Sequence, residues 1–380
     1  MARLGDVCTV VSGSTPKTNI PAYWDGDIKW ITPAELNENS FYIFDSQRHI
    51  TELGKEKTGL SYMPVGTVIL SSRAPIGKTA IAGCELCCNQ GFKNLICSDA
   101  IFNEYLYFFL KSKTDYLNSL GRGATFKEIS KSIVENIEIR LPSLEEQKKA
   151  AKQLGHIYYL ISLRKQQLAK LDELVKARFV ELFGDCKDQT TIKESGLTIS
   201  DGNYSSKYPR SDEFVDNGVP FIRANNMKDG TITDEDMYFI TPAKHQILLK
   251  GHLKPNDVLI TTRGNIGQVA IVPPKHNDSN INAQIVLLRD ENGRFIPQFL
   301  LWALQTEEVK MQCLKLQTGT ALKQLPVGRL EQIVIKEPTL TAQEQFAEFV
   351  KQTDKSKLTV QQSLDKLEIL KKALMQKYFG

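Results

Sequence analysis

The chain of 380 residues has no long apolar run. No hydrophobic stretch approaches the roughly 20 residues that are needed to span a bilayer. The first residues also lack the basic and then apolar pattern of a secretory signal. Seven cysteines, an odd number scattered over a long chain, argue against a disulfide framework and favour reduced thiols. We therefore expect a cytoplasmic protein without a membrane anchor.

Motifs of known catalytic centres are scarce as well. Residues 72–79 approach a phosphate-binding P-loop, but Ser72 stands where the loop needs glycine. The equivalent residues 262–269 lack the Lys and Thr of that motif, so a shared turn explains both segments better. There is no G-x-S-x-G nucleophile elbow and no Asn/Asp-Pro-Pro-aromatic tetrapeptide of an amino-methyltransferase. We expect no catalytic residues and no cofactor of the chain's own.

Metal ligands are also sparse in the sequence. The five histidines form no HxH or HxxxH pair, which favours ordinary surface or core roles. Cys84, Cys87, Cys88 and Cys97 contain one CxxC pair, and the second half of the chain has no cysteines at the matching place. A structural zinc at these cysteines is the less favoured alternative to free thiols. We expect no metal site.

Composition permits nucleic-acid binding without requiring it. A hydrophobic fraction of 41% and a charged fraction of 24% are typical of globular proteins. The formal net charge of +4 is only mildly basic, so the local arrangement of Lys and Arg matters more than the sum. The length predicts two or more domains.

The chain contains an internal repeat. Residues 123–184 match residues 319–380 without a gap, at a constant separation of 196 positions. Matched residues include Pro142 with Pro338, Gln147 with Gln343, and Phe183-Gly184 with Phe379-Gly380. Upstream, residues 68–77 resemble residues 258–267, and Trp30-Ile31 resembles Phe221-Ile222. Each copy therefore has a variable, strand-rich front and a regular, helical back.

The helical backs are amphipathic. Ser143 with Glu146 forms a capping box at the first start, and Thr341 with Glu344 is the candidate for the second. At 1.5 Å per residue, about 40 residues form a rod on the order of 60 Å long. Apolar residues at heptad spacing predict that the two rods pack as an antiparallel coiled coil with pseudo-twofold symmetry. The seam residues are Leu154, Ile161, Leu168, Leu171, Val175 and Leu182 in the first rod, and Val350, Val360, Leu364, Leu367, Leu374 and Tyr378 in the second.

Both fronts are predicted to be mixed α+β domains that bind DNA. Short apolar strands alternate with Gly, Pro, Asn and Asp turns, and one helix follows in each copy, over residues 104–112 and 296–304. Hydroxyl, amide and cationic side chains near glycine suit phosphate contacts and base-edge hydrogen bonds. The candidates are Lys29, Thr32, Ser71, Ser72, Arg73, Lys78, Asn89, Gln90, Arg122 and Lys127 in the first copy, and Arg223, Asn225, Asn226, Thr261, Thr262, Arg263, Asn265, Gln268, Asn282, Gln284 and Lys323 in the second. Ion pairing of Arg73 and Arg263 with carboxylates is the alternative.

The whole layout resembles the specificity subunit of type I restriction-modification systems. The most specific segments are residues 141–147 and 337–346 at the helix starts, together with the matched helix ends at 183–184 and 379–380. The resemblance implies a first target-recognition domain at 1–141, a helical spacer at 142–185, a second recognition domain at 186–337 and a second spacer at 338–380. It also implies that each recognition domain reads one half of a bipartite double-stranded DNA target.

The same resemblance implies the partners. Two modification subunits would dock on the helices and methylate adenine in each half-site, and restriction subunits with ATP-dependent translocation and cleavage would join them. S-adenosylmethionine, ATP and Mg²⁺ would belong to those partners. Two other classes stay open: a coiled-coil scaffold that binds only proteins, and a self-contained nuclease or NTPase.

Overall fold

The computed structural model describes residues 1–73, 75–123, 127–204, 207–320 and 322–380. It divides into two compact units, of which the first contains residues 1–168 and 360–380 and the second contains residues 169–359. Both units combine sheets with helices, which confirms the predicted α+β class. The predicted bounds of the four segments stay a prediction.

The first unit is built on a five-stranded sheet in the order β2-β9-β6-β7-β4, in which only β4 and β7 are parallel. A three-stranded sheet, β5-β3-β8, and a short β1-β10 pair accompany it. The strands are β1 (Ala2–Arg3), β2 (Cys8–Ser12), β3 (Trp24–Ile31), β4 (Tyr42–Ile43), β5 (Arg48–Ile50), β6 (Val68–Ser71), β7 (Thr79–Ala82), β8 (Cys87–Cys88), β9 (Phe92–Cys97) and β10 (Glu138–Ile139).

Helices cover one face of the five-stranded sheet. They are α1 (Leu4–Val7), α3 (Asn103–Ser112), α4 (Thr114–Leu120), α5 (Lys131–Glu135) and the start of α6 (Leu144–Phe183). The short α2 (Glu52–Thr58) instead contacts β3 of the three-stranded sheet. Val68 and Leu70 of β6 pack toward α3 and α6, whereas Ile69 packs with Ile31 on the opposite face. Because successive side chains of a strand point to opposite faces, a strand that is covered on both sides is apolar throughout.

The second unit repeats this plan with two four-stranded sheets, β12-β21-β18-β19 and β13-β17-β14-β20, and short β11-β22 and β15-β16 pairs. Val258 and Ile260 of the central strand β18 face one core, and Leu259 faces another. The strands are β11 (Gln189–Thr191), β12 (Thr198–Asp201), β13 (Phe214–Val215), β14 (Val219–Ile222), β15 (Met227–Lys228), β16 (Thr231–Ile232), β17 (Tyr238–Ile240), β18 (Val258–Thr261), β19 (Val269–Ile271), β20 (Asn280–Ile281), β21 (Ile285–Arg289) and β22 (Val334–Lys336).

The helices of the second unit are the end of α6, α7 (Pro242–Ile247), α8 (Pro297–Leu304), α9 (Glu307–Leu316), α10 (Val327–Leu330) and the first part of α11 (Leu340–Phe379). Helices α3 and α8 coincide with the two predicted at residues 104–112 and 296–304 to within one residue. An aromatic cluster of Phe179, Phe183, Phe299 and Phe346 joins α6, α8 and α11 within this unit.

The two long helices begin at matched positions. At the start of α6 the N–H of Ser143 donates to the Glu146 carboxylate (3.1 Å), and the Glu146 N–H donates to the Ser143 hydroxyl (3.3 Å), which confirms the predicted capping box. The prediction of a cap at Thr341 is wrong, because α11 begins at Leu340 and the carbonyl of Thr339 accepts its first hydrogen bonds. The repeat separation of 196 indeed pairs Thr339, not Thr341, with Ser143.

Within the first unit, α6 and the end of α11 run antiparallel. Ile157, Ile161 and Leu364 form a buried cluster, against which Leu168, Leu367 and Leu374 pack. The hydroxyl of Tyr378 donates to Gln153 (2.5 Å), whereas Arg164 donates to Ser363 (3.2 Å), so residue numbers rise on one helix as they fall on the other. Leu154 is also buried there.

The same pairing occurs within the second unit. Val175 and Val350 are buried in one core and Leu182 packs against it, while Lys357 forms an ion pair with Asp172 (2.7 Å). Of the remaining predicted seam residues, Val360 is buried and Leu171 is half-buried. The polar side chains of Arg164 and Lys357 therefore bond across the helix pair.

Across the described ranges, none of the helices combines the length and the apolar character that crossing a membrane requires.

Candidate nucleic-acid interface

A tight turn follows the central strand of the main sheet in each unit. In the first unit the Ser71 hydroxyl donates to the carbonyl of Pro75 (2.8 Å) and accepts from the N–H of Lys78 (2.9 Å). Gly77 has a φ of 96°, which glycine adopts without strain. The Ser71 hydroxyl therefore holds the turn in shape. Ala74 of this turn lies outside the described residues.

The second unit has the same turn. Thr261 donates to the carbonyl of Asn265 and accepts from the N–H of Gln268 (3.0 Å), and Gly267 has a φ of 88°. The two turns make the same hydrogen bonds, which agrees with the interpretation of residues 72–79 and 262–269 as one shared turn. Neither glycine-rich segment needs a phosphate ligand to explain its sequence.

A second segment bonds to each turn. Backbone groups of Arg122 and Glu128 exchange two hydrogen bonds (3.0 and 2.9 Å), and Thr318 and Gln324 do the same (2.7 and 2.9 Å). The following residues, 129 and 325, then donate to the carbonyls of residues 72 and 262 (2.9 and 2.8 Å). Residues 124–126 and 321 of these segments lie outside the described part of the chain.

A third segment completes the arrangement. The side chain of Asn89 accepts from the N–H of Gly91 (2.8 Å), and Asn282 accepts from Gln284 (3.1 Å). The carbonyl of Gly91 accepts a hydrogen bond from the N–H of Ser72, and the carbonyl of Gln284 accepts one from the N–H of Thr262, at 2.7 Å in both units. Gln284 therefore occupies the position of Gly91.

These three segments form what we call the reading surface of each unit. It consists of the described residues within 71–78, 89–91 and 122–128 in the first unit, and within 261–268, 282–284 and 318–324 in the second. The backbone frame is the same in both, so the units differ mainly in the side chains that the frame carries.

Arg73 is engaged in an ion pair. Its Nε donates to Glu128 at 2.9 Å, and Glu128 also pairs with the buried Lys93 at 3.2 Å. Partial burial acts to raise the pKa of Glu128, but the hydrogen bonds and charges of Arg73 and Lys93 outweigh it and hold that pKa below its usual value. The carboxylate is thus a fixed anion beside Arg73.

Arg263 has a different environment. Gln324 stands at the position of Glu128, and Val286 stands at the strand position of Lys93. The Arg263 guanidinium lies over the ring of Tyr204, 5.1 Å from its centroid, and the Tyr204 hydroxyl donates to the carbonyl of Ala283 (2.9 Å). A neutral amide and an aromatic face replace the carboxylate, so Arg263 keeps its charge available for an anionic ligand.

The predicted residues after the aromatic-Ile pairs form local caps. The N–H and hydroxyl of Thr32 both donate to Glu35 (2.7 and 2.9 Å), and the Arg223 N–H donates to the buried Asn226 (3.0 Å). Lys29 lies 3.6 Å from the sulfur of Cys84. The Arg223 guanidinium stacks 3.4 Å from the ring of Tyr238. These polar groups mainly bond within the protein.

Exposure separates the candidates into two sets. The buried ones hold loops in shape: Ser71, Ser72, Asn226, Thr261, Thr262 and Asn282. The others are exposed or half-buried: Lys29, Thr32, Arg73, Lys78, Asn89, Gln90, Arg122, Lys127, Arg223, Asn225, Arg263, Asn265, Gln268, Gln284 and Lys323. Whether any of them contacts DNA stays a prediction.

Sequence reasoning noted the repeated glutamines but missed their role. Gln147 accepts from the N–H of Phe102 (2.8 Å) and donates to the carbonyls of residues 100 and 142. Gln343 accepts from the N–H of Ile296 (2.8 Å) and donates to residues 294 and 338. Both amides are fully buried. Each one therefore fixes a long helix to the segment that precedes α3 or α8.

The cysteines considered for zinc have separate partners. Cys84 donates to the carbonyl of Phe44 (3.1 Å) and Cys87 to the carbonyl of Ser61 (3.6 Å). Cys97 faces Cys8 across β2 and β9, and its hydrogen bond, together with burial, raises the pKa of the Cys8 thiol. These contacts give the zinc alternative no support.

Comparison with known proteins identifies the family. The family model described as "Type I restriction modification DNA specificity domain" matches residues 1–173 and 201–369. The chain is 30% identical to the type I restriction enzyme MjaIX specificity subunit of Methanocaldococcus jannaschii and 28% identical to the MjaVIII specificity subunit of the same organism. Each alignment covers 99% of this chain and about 90% of the relative, 91% for the former and 90% for the latter.

Solved structures share the fold. The structural alignment with the S subunit of a type I restriction-modification system from M. genitalium covers 100% of this chain and 95% of that subunit. Its TM-score is 0.60, and the sequence identity is 15%. A chain from a study of complex assembly and conformational transition of the type I R-M system aligns over 100% and 96%, with a TM-score of 0.63 and 19% identity. This chain therefore belongs to the family of type I restriction-modification specificity subunits, with two target-recognition domains.

Proposed function

We propose that this specificity subunit reads a bipartite DNA target, with one half-site for each recognition domain. The observation that carries the proposal is the pair of reading surfaces, in which one backbone frame holds different side chains. Phosphate contacts position a protein on DNA, whereas side chains at base edges specify the sequence. A shared frame with different side chains suits two readers of different half-sites.

The second reading surface is the better equipped of the two for base contacts. Arg263 and Gln284 stand on adjoining segments, because the Gln284 carbonyl bonds to the N–H of Thr262. Arginine pairs bidentately with guanine and glutamine with adenine in the major groove. In the first unit, the corresponding places hold the ion-paired Arg73 and Gly91. Arg122 and Lys127, both exposed, supply cations for phosphates there.

The long helices are proposed to dock the methyltransferase and restriction subunits. Large apolar side chains stay exposed on them, although their seams are buried. These side chains are Tyr159, Leu163, Leu174 and Val180 on α6, and Leu358, Ile369 and Leu370 on α11. Tyr159 and Leu163 are four residues apart, so they lie on one face of α6 as an exposed apolar pair, which favours a protein interface. In this proposal the partners methylate adenine and cleave DNA, and this chain only directs them.

An exchange of one recognition domain tests the division of labour. Residues 186–337 are replaced by the matching segment of a family member with a different target, and the methylated motif is mapped. We expect one half of the motif to change and the other half to persist. A motif that changes in both halves contradicts independent reading.

A further inference from the structure

Two histidines and an aspartate lie close together in the second unit, although they are too far apart in the sequence to form a recognisable metal-binding motif. His245 lies in α7, His252 follows seven residues later, and Asp278 occupies the turn before β20. The Nε2 of His245 is 3.2 Å from one Asp278 carboxylate oxygen, and the Nδ1 of His252 is 3.4 Å from the other. Ligand atoms of the three residues all lie within 4.8 Å of one another.

The opposite nitrogen of each ring also faces an oxygen. His245 Nδ1 contacts the side-chain oxygen of Asn280, whose amide nitrogen donates to the carbonyl of Lys250 (3.5 Å). His252 Nε2 contacts the carbonyl of Leu248, which only accepts hydrogen bonds. Both nitrogens of both rings therefore face acceptor oxygens.

A neutral imidazole has one N–H, so it satisfies only one of its two acceptors. Its other nitrogen then presents a lone pair to the remaining acceptor oxygen, which is repulsive. The two ring centroids are only 4.4 Å apart, and His245 is only 8% exposed. A bound metal cation removes the conflict, because it accepts the lone pairs and attracts the carboxylate.

We propose that His245, His252 and Asp278 form a binding site for a divalent transition-metal ion of the zinc type. His245 would bind through Nε2, His252 through Nδ1 and Asp278 through its carboxylate. Metal-bound histidines usually donate the other ring N–H to a carbonyl or carboxylate oxygen, as Leu248 and Asn280 allow here. Two imidazoles and one carboxylate suit Zn²⁺, Co²⁺ or Ni²⁺ better than Ca²⁺ or Mg²⁺, which prefer oxygen ligands.

The two His–Asp separations fit such an ion, and each involves a different oxygen of Asp278. Ligand atoms about 2.1 Å from a tetrahedral zinc are about 3.4 Å apart, close to the two His–Asp separations of 3.2 and 3.4 Å. The Asp278 side chain is 68% exposed, which leaves room for water at a fourth position. Three protein ligands with an open position are a common arrangement for zinc.

The surrounding backbone already holds the ligands in place. Asp278 has a φ of 59°, and its N–H donates to the carbonyl of Leu253 (2.8 Å). Arg289 donates to the carbonyl of His252 (2.9 Å) while it pairs with the buried Asp257 (2.7 Å). The ion would tie residues 245–252 to β20, which leads directly into the 282–284 segment of the second reading surface.

Zinc titration of the full, untagged chain after chelator treatment tests the site. We expect one equivalent of Zn²⁺ per chain, measured by calorimetry, and a melting temperature that rises with zinc. His252→Ala and Asp278→Asn each remove a ligand, so each is expected to weaken zinc binding by more than about a hundredfold and abolish the melting shift. Asp278→Asn retains a residue that tolerates positive φ. His156→Ala, at an exposed histidine of α6 in the first unit, is the matched control.

Cobalt distinguishes this site from the free cysteines. Co²⁺ bound by imidazole and carboxylate lacks the near-ultraviolet charge-transfer band that thiolate ligands produce, so we expect visible bands alone. A thiolate band, stoichiometric binding that both variants retain, or no binding at a zinc concentration of about 0.1 mM, far above structural-site affinities, would overturn the proposal. Circular dichroism of both metal-free variants verifies that they are folded.

Discussion

At the residue scale, Arg73 and Arg263 occupy equivalent places with opposite partners. Arg73 shares a carboxylate with Lys93, whereas Arg263 lies over Tyr204 beside the neutral Gln324. A guanidinium that already donates to a carboxylate has fewer donors for DNA and a weaker local positive potential. The two arginines should therefore contribute unequally to DNA binding.

Substitution of these arginines by alanine measures that inequality. We predict that Arg263→Ala costs about 1–3 kcal/mol of binding free energy and relaxes specificity at one position of the second half-site. Arg73→Ala should cost less, because its ion pair must be broken before it binds DNA. Affinities of the subunit with its methyltransferase for target and point-mutated duplexes are measured at fixed salt. Equal losses for the two variants would show that the ion pair has no influence.

A double substitution tests the same idea by gain of function. Glu128→Gln alone leaves the buried Lys93 without its carboxylate partner, so Lys93→Val is added to reproduce the Val286 and Gln324 of the second unit. We predict tighter binding to all DNA sequences because Arg73 is released from its ion pair. The net charge is unchanged, since one anion and one buried cation are removed together. The salt dependence should steepen by about one phosphate contact. Unchanged affinity and slope in a folded double variant would argue that Arg73 faces away from the DNA.

At the element scale, the buried glutamines anchor the long helices to the domains. Gln343→Leu leaves one backbone N–H and two carbonyls unsatisfied near the start of α8, which we predict lowers the unfolding free energy by about 1–3 kcal/mol. Gln147→Leu should do the same near α3. Urea unfolding is the measurement, and Gln166→Leu, at an exposed position of α6, is the control. A loss no greater than that of the control would contradict the anchoring role.

The exposed apolar residues of α11 provide a second prediction at this scale. Leu358→Glu and Ile369→Glu should weaken association with the methyltransferase by about tenfold or more, because buried charge in an apolar contact is costly. Gln376→Glu makes the same charge change at an exposed polar residue of the same helix. Titration of methyltransferase against each folded variant gives the affinities, and three equal values would remove α11 from the docking surface.

At the scale of the whole molecule, most of the architecture that could be predicted from the sequence follows from the internal repeat. A constant register between residues 123–184 and 319–380 predicts two similar units with matched helices, and the family comparison confirms two recognition domains. The predicted cap at Thr341 is wrong, because Thr341 and Glu344 fit the local capping pattern but not the repeat. The register of 196 residues pairs Ser143 with Thr339 instead.

Contacts between distant segments could not be predicted in this way. Glu128 meets Arg73 across 55 residues, and His245, His252 and Asp278 meet only because α7 and the turn before β20 fold against each other. The upstream loops of the two copies differ in length, so no register identified these partners. The change from Glu128 to Gln324 at matched positions was the one available signal, and its meaning depends on the Arg73 contact.

In the proposed function, this chain selects the DNA sequence on which its partners act. Single-molecule methylation sequencing of DNA from cells that contain the partner methyltransferase, with and without this chain, tests that selection. We predict a split motif, methylated at adenine in both halves, that occurs only when the chain is present. An active methyltransferase whose methylated sites are the same with and without the chain would contradict the claim.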